Sequence, residues 1–199
     1  MVLVTVIGHS HVRDLGYFSE VNHNDEIVLP NGNRIQLAFC FISGATFLTF
    51  IENSEVLDTF AESNPDIVLI ILGGNDLKKD AELVGIKKNC RAFYSMIKSK
   101  FPNSYIIGTQ IESRFIEPGD KYEKFGSPYS ERFSKISVYF NKWLNNQKFK
   151  DRLLCIRGPN RMDNKLYYRD SVHFNIDGLT KYFHFLLTIK TYYIYSGTS

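Results

Sequence analysis

The sequence predicts an α/β fold in which a mostly parallel five-stranded sheet is covered by helices on both faces. Three observations lead to this prediction. The chain has 199 residues, 44% of them hydrophobic and 23% charged, which suits one compact domain spanning residues 1–199. Short apolar runs alternate with amphipathic stretches, as in strand–helix–strand units. The apolar runs are nearly continuous, which is typical of strands buried on both faces.

The first third of the chain contains a strand, a hairpin and a helical stretch. Val2–Ile7 is an apolar run and predicts the first strand. Glu26–Leu29 and Arg34–Ile42 flank an Asn-Gly pair, and this pair between two apolar runs is typical of a hairpin turn. Residues 45–63 carry apolar side chains at helical spacing, so we expect a helix there.

The rest of the chain alternates strands and helices. Asp66–Leu72 (DIVLIIL) is the clearest buried strand because six consecutive apolar residues follow its aspartate. The long polar stretch Glu112–Tyr129 predicts a loop that overhangs the site and selects the substrate. The remaining predicted elements are a helix over Lys79–Lys100, a strand over Tyr105–Ile111, a helix over Ser130–Asn146, a strand over Leu153–Ile156 and a helix over Ile176–Tyr193.

Polar residues of the types that act in catalysis follow the predicted strands. Ser10, Gly44 and Asn75 each come directly after a strand, and Asp170 and His173 come after the last one. In open parallel sheets, ligands bind at the carboxyl ends of the strands. We therefore expect these five residues to meet at one edge of the sheet.

This set of residues suits ester hydrolysis. Ser10 would be a nucleophile once His173 takes its proton, and Asp170, three residues before the histidine, would orient the imidazole. Backbone N–H groups of Ser10 and Gly44, together with the side-chain amide of Asn75, would stabilise the oxyanion of the tetrahedral intermediate.

The motifs resemble those of the SGNH (GDSL-type) hydrolases, whose four blocks contribute a serine, a glycine, an asparagine and a histidine. All four occur here in order and span nearly the whole chain. The matching segments are Gly8-His9-Ser10, Ile42-Ser43-Gly44-Ala45, Gly73-Gly74-Asn75-Asp76 and Asp170-Ser171-Val172-His173-Phe174-Asn175. His9 departs from the usual Gly-Asp-Ser, and similar Gly-His-Ser versions occur in animal proteins and in retrotransposon-encoded esterase domains.

The resemblance implies a flavodoxin-like three-layer α/β/α sandwich and hydrolysis of a small acyl ester without metal or cofactor. It also implies the roles of nucleophile for Ser10, base for His173 and orienting acid for Asp170. Gly44 and Asn75 would complete the oxyanion hole with Ser10. The expected substrate is an acetylated sugar or a short lipid ester.

Several residues keep a second interpretation. Ser10 would also serve as the N-cap of a short helix over His11–Leu15, and Asp76 as the N-cap of the helix that follows it. Gly44 is also a plausible turn residue. His9 and His11 form an H-x-H pair that a metal hydrolase would use together with Asp170 and His173.

Charge and composition make some partners and locations less expected than others. The formal net charge of +3 is too small to predict a nucleic-acid partner. The apolar N-terminus is short and lacks a basic flank, and no stretch is long enough for a transmembrane segment, so we expect a cytoplasmic protein. Three cysteines in apolar stretches predict buried, reduced thiols.

Two other functions stay open at this point. The first is a binding module whose site is too altered around His9 and Arg13 to turn over substrate. The second is an accessory domain of a mobile-element protein. Nothing in the sequence sets the oligomeric state.

Overall fold

A computed structural model of the chain describes residues 1–22, 26–28, 32, 34–77, 82–111, 135, 137–144, 153–156, 166 and 173–185. The described strands are β1 (Val2–Gly8), β2 (Glu26–Val28), β3 (Arg34–Phe41), β4 (Ile67–Ile71), β5 (Tyr105–Thr109) and β6 (Leu153–Ile156). They form one sheet in the order β2-β3-β1-β4-β5-β6. Five neighbouring strands run parallel, and β2 adds the antiparallel arm of the predicted hairpin at one edge. The predicted α/β class with a mostly parallel sheet is confirmed.

Helices connect the strands. They are α1 (Ser10–Val21), α2 (Phe47–Glu52), α3 (Asp58–Glu62), α4 (Leu83–Lys100), α5 (residues 137–144) and α6 (residues 176–185). A 3-10 turn over Ser54–Leu57 joins α2 to α3. The predicted loop over Glu112–Tyr129 lies outside the described residues.

The core has two apolar layers, one on each face of the sheet. All five residues of β4 are buried, and alternate side chains face opposite layers. Val68 and Ile70 pack with residues of α2, α4 and α5, whereas Ile67, Leu69 and Ile71 pack with residues of α1 and α6. This division gives the three-layer α/β/α architecture.

Three helices differ from their predicted extents. The helix predicted over Lys79–Lys100 begins at Leu83, because Glu82 has an extended backbone and is the N-cap. The helix predicted to end at Leu15 continues to Val21, because the turn beyond Gly16 still packs on the core through Phe18. Gly16 itself lies close to β3, where an added Cβ would be only 3.3 Å from that of Phe39. The helix predicted over residues 45–63 is interrupted at Asn53, whose side chain donates to the carbonyl of Thr49 at 2.8 Å. An asparagine side chain that binds nearby backbone competes with helix continuation.

The topology places a crevice beside β1. From β1 the chain crosses to β3 on one side and later to β4 on the other, so the strand order reverses between β1 and β4. A ligand site is expected at the carboxyl ends of such strands. Ser10 follows β1, Gly44 follows β3 and Asn75 follows β4 at this edge. Across the part of the chain that the structure describes, no helix is both long and apolar enough to cross a membrane.

Gly8, the last residue of β1, offers a direct test of the close packing between β1 and β4. A methyl group there would overlap the backbone oxygen of Ile71 and lie 2.6 Å from Cγ2 of Val12. Because Ile71 belongs to β4, which pairs with β1, its backbone cannot move aside. We expect Gly8→Ala to lower the free energy of unfolding by about 1–3 kcal/mol in urea denaturation.

Gly85 provides the matched control. It lies in the first turn of α4, where an added Cβ meets nothing within 4 Å. Gly85→Ala is expected to leave the free energy of unfolding unchanged or raise it by up to about 1 kcal/mol. Equal effects of the two substitutions would contradict the tight contact between β1 and β4.

Candidate active site

The centre of the site is a contact between a serine and a histidine that are far apart in the chain. The Oγ atom of Ser10 lies 3.1 Å from Nε2 of His173, across a sequence separation of 163 residues. Both side chains are partly buried. A hydroxyl at hydrogen-bond distance from an imidazole nitrogen is the arrangement that proton transfer from serine to histidine requires.

Ser10 owes its position to the junction of β1 and α1. It is the first residue of α1, and the N-cap is His9, whose Nδ1 accepts the backbone N–H of His11 at 3.4 Å. The prediction that Ser10 is the N-cap is therefore wrong. Because the imidazole of His9 takes the capping role, the Ser10 hydroxyl contacts two side chains: its Oγ lies 3.1 Å from Nε2 of His173 and 3.5 Å from Nδ1 of His9.

Aromatic packing holds the segment that carries His173. Its neighbour Phe174 is fully buried, with its ring centroid 4.5 Å from that of His11 and 5.2 Å from that of Tyr182 on α6. Asn175 then caps the N-terminus of α6, since its side chain accepts the backbone N–H of Gly178 at 3.0 Å. A buried anchor and a helix cap thus fix the backbone on one side of His173.

The loops after β3 and β4 are joined to each other. The side-chain amide of Asn75 donates to the carbonyl of Ala45 at 3.2 Å. Gly44, directly before Ala45, has φ = 73°, a left-handed conformation that favours glycine. This supports the turn role of Gly44 and places it one residue from a partner of Asn75.

The contacts of Asp76 differ from the predicted helix cap. Both of its carboxylate oxygens lie 3.2 Å from the backbone nitrogen of Phe47, the first residue of α2. The first N–H groups of a helix have no acceptor within the helix, and a buried carboxylate supplies one here. The helix that follows Asp76 in the chain has Glu82 as its N-cap, so the predicted capping of that helix by Asp76 is wrong.

Sequence reasoning missed the role of Arg13. Its Nη1 donates to Oγ of Ser43 at 3.2 Å, while its Nε and Nη2 donate to Oδ1 of Asp14 at 2.9 and 2.7 Å. Ser43 directly precedes Gly44, so Arg13 ties α1 to the loop after β3. No local sequence signal marks this contact, because Arg13 and Ser43 lie 30 residues apart in the chain.

Two predicted features of the site remain: the orienting acid Asp170 and the metal site suggested by His9 and His11. Asp170 lies outside the described residues. The ring centroids of His9 and His11 are 4.6 Å apart. Within the described ranges, no group of three or more His, Cys, Asp or Glu side chains is arranged to hold a metal ion.

In the described ranges, Cys40 and Cys90 lie buried in the core and form no disulfide bond. Burial raises the pKa of the Cys40 thiol from 9.0 to about 12. The Cys40 thiol therefore stays protonated at neutral pH, and a protonated thiol is a weak nucleophile. The side chain of Cys155 lies outside the described residues.

The field of α1 favours negative charge near Ser10. The N-terminus of a helix carries a partial positive charge, and Ser10 is the first residue of this 12-residue helix. A hydroxyl-imidazole pair at such an end is suited to attack on a carbonyl group, because negative charge then develops close to the helix N-terminus.

Comparisons with known proteins identify the fold. A scan against protein families found no match, and a search of curated proteins found none either. Solved structures do match. A Streptococcus pneumonia protein, provisionally assigned as a platelet activating factor, is 17% identical with a TM-score of 0.69, covering 94% of this chain and 82% of its own.

Two esterases share the architecture over nearly their full lengths. A carbohydrate esterase family 3 protein from Talaromyces cellulolyticus is 15% identical with a TM-score of 0.62, and all of both chains is covered. The psychrotrophic esterase EstA from Pseudoalteromonas sp., in a structure inhibited by monoethylphosphonate, is 19% identical with a TM-score of 0.57, covering 96% of this chain and 97% of its own. At these identities the similarity establishes the fold.

Proposed function

We propose that this chain, which has the fold of the SGNH hydrolases, is a serine esterase that hydrolyses a small acyl ester. Ser10 is the nucleophile, His173 the base and Asp170 its orienting acid. Ser10, Gly44 and Asn75 form the oxyanion hole. The observation that carries the proposal is the 3.1 Å separation between Ser10 Oγ and His173 Nε2.

The first half of the reaction acylates the serine. As Ser10 Oγ forms a bond to the ester carbonyl carbon, its proton passes to Nε2 of His173. The carbonyl π bond breaks, and its electron pair moves to the carbonyl oxygen. When the tetrahedral intermediate collapses, the bond to the alcohol oxygen breaks, and that oxygen takes the proton from His173. The alcohol leaves and the acyl group stays on Ser10.

The second half returns the enzyme to its starting state. A water molecule attacks the acyl carbon while His173 accepts one of its protons. The resulting intermediate expels Ser10 Oγ, which regains the proton from Nε2, and the carboxylic acid departs. The same imidazole serves both halves, so His173 has to stay beside the acyl carbon throughout the cycle.

The charge on the intermediate oxygen calls for donors that are already in place. The hydrogen bond between Asn75 and Ala45 supports the proposed oxyanion hole, since it holds the amide of Asn75 beside the Gly44 loop. The bond between Arg13 and Ser43 ties that loop to the helix that carries Ser10. Preorganised donors lower the barrier because they need no reorientation as charge develops.

A phosphonate probe tests the proposal. The purified protein is treated with an ethyl fluorophosphonate, and its intact mass is measured. We expect one adduct per chain, located on Ser10 by peptide mapping, because the activated serine displaces fluoride and forms a stable phosphonyl ester. Ser10→Ala and His173→Ala should each abolish the adduct.

Ser63→Ala serves as the control, since Ser63 lies after α3 and donates to Phe60. This variant should label like the wild type. An unlabelled wild-type protein that still binds acetyl esters would overturn the proposal in favour of the binding-module alternative.

A further inference from the structure

We propose that an apolar groove between α1 and α6 holds the alcohol part of the ester substrate and that this part is an alkyl chain. The inference rests on the function proposed above. The groove has a volume of about 630 Å³ and begins at His173. Its apolar lining residues are Tyr17, Phe18, Val21, Phe174, Ile176 and Leu179.

One face of α1 forms a wall of the groove. The residues Arg13, Tyr17 and Val21 follow each other at intervals of four, so they lie in one row along the helix. Phe18 lies beside this row, and its ring packs against Phe183 of α6. At 1.5 Å per residue, the row extends about 12 Å away from the Ser10 end of α1. That is long enough for an alkyl chain of six to eight carbons.

The walls expose apolar surface that the core does not use. Tyr17 is 56% exposed, Val21 is 78% exposed and Ile176 on the opposite wall is 67% exposed. Scattered exposed apolar residues are normal, but large ones on both walls of one groove indicate a ligand site. The groove thus suits a ligand that loses water contact along its length.

Polar groups in the lining are already paired. The guanidinium of Arg13 forms a 2.7 Å ion pair with Asp14 at the end near His173. At the far end, the amide of Asn22 donates to the carbonyl of Phe18 at 2.7 Å. Among the described lining residues, the cation of Arg13 is balanced by the anion of Asp14, and this favours an uncharged alkyl chain over an ionic headgroup.

The position of His173 assigns the groove to the alcohol rather than the acyl part. In the proposed reaction, the leaving oxygen takes its proton from Nε2 of His173, so the alcohol lies against the imidazole. All described lining residues belong to α1, to Asn22 or to residues 173–179. Gly44 and Asn75, which would face the carbonyl oxygen, are on loops outside this lining.

The test uses esters with one acyl group and growing alcohols. Ethyl, butyl and hexyl acetate are compared at concentrations below their solubility limits. Burying a methylene contributes about 0.8 kcal/mol, which is at most about fourfold in affinity. Allowing for an open groove, we expect kcat/KM to rise at least about tenfold from ethyl to hexyl acetate, and to change much less from ethyl acetate to ethyl hexanoate.

Two matched substitutions locate the effect. Ile176→Asp places a charge on the groove wall and is expected to lower the hexyl-to-ethyl acetate ratio of kcat/KM by about tenfold or more. Val84→Asp places the same charge at an exposed valine of α4, which is 78% exposed against 67% for Ile176. Because α4 packs on the opposite face of the sheet, this variant should keep the wild-type ratio.

Three results would overturn the inference. The first is a hexyl-to-ethyl ratio that Ile176→Asp leaves unchanged. The second is a length preference that follows the acyl chain instead of the alcohol. If the wild type hydrolyses no ester, the proposed function fails, and calorimetric binding of 1-hexanol to Ser10→Ala then decides about the groove. Weaker binding after the added Ile176→Asp change supports the groove as an alkyl site, and equal binding is the third overturning result.

Discussion

Ser10→Ala is expected to lower kcat/KM for acetate esters by about 10³-fold or more while leaving the free energy of unfolding unchanged. The loss is large because a nucleophile and its base act as a unit, so that removing one member removes most of what the pair contributes. Stability should not change because the N-cap of α1 is the side chain of His9. The Ser10 hydroxyl contacts His173, a residue of another segment.

His9→Ala is the informative partner of this substitution. An N-cap side chain contributes about 0.5–2 kcal/mol, so His9→Ala should lower the free energy of unfolding by about 1 kcal/mol in urea denaturation. Because Nδ1 of His9 also lies 3.5 Å from Ser10 Oγ, the two substitutions are compared by stability: only His9→Ala should lower the free energy of unfolding. A loss of stability in Ser10→Ala with no change in His9→Ala would instead identify Ser10 as the capping residue.

The double variant adds a second readout. If Ser10 and His173 act together, Ser10→Ala combined with His173→Ala should be scarcely slower than Ser10→Ala alone. Multiplied losses in a steady-state assay would show that the two residues act independently, and the contact between them would then have no catalytic meaning.

Most of the fold was predictable because strand signals are local. The bounds of β6 agree with those predicted, and β4 differs from its predicted strand by one residue at each end. Continuous apolar runs identify buried strands without knowledge of their partners. The end of α1 was not predictable in this way, since the effect of Gly16 depends on its contact with Phe39 from β3.

For the site, the sequence predicted only which loops lie close together and not the contacts between their side chains. The topology argument brings Ser10 and His173 to one edge of the sheet, and the structure places their side chains within hydrogen-bond distance. The bonds from the Phe47 N–H to Asp76 and from Arg13 to Ser43 have no local sequence signal because they join segments about 30 residues apart.

Asn75→Ala is expected to lower kcat for acetate esters by about 10²–10³-fold with a small change in KM, because the proposed donor acts on charge that develops in the transition state. Asn75→Asp should lose at least as much, since a carboxylate cannot donate and repels the oxyanion. Asn103→Ala is a distant control, because its amide binds Asn64 far from Ser10. Steady-state kinetics on the three variants measure the effect.

Asn75 also donates to Ala45, so its loss would loosen the Gly44 loop even if the amide never faced the substrate. Ser43→Ala distinguishes the two explanations because it removes the bond from Arg13, another tie to the same loop, and leaves Asn75 in place. We expect less than about tenfold loss of kcat in Ser43→Ala. If Ser43→Ala and Asn75→Ala lose the same factor, Asn75 acts by positioning the loop. A gap of tenfold or more between them favours direct donation to the oxyanion, since loosening alone would affect both variants alike.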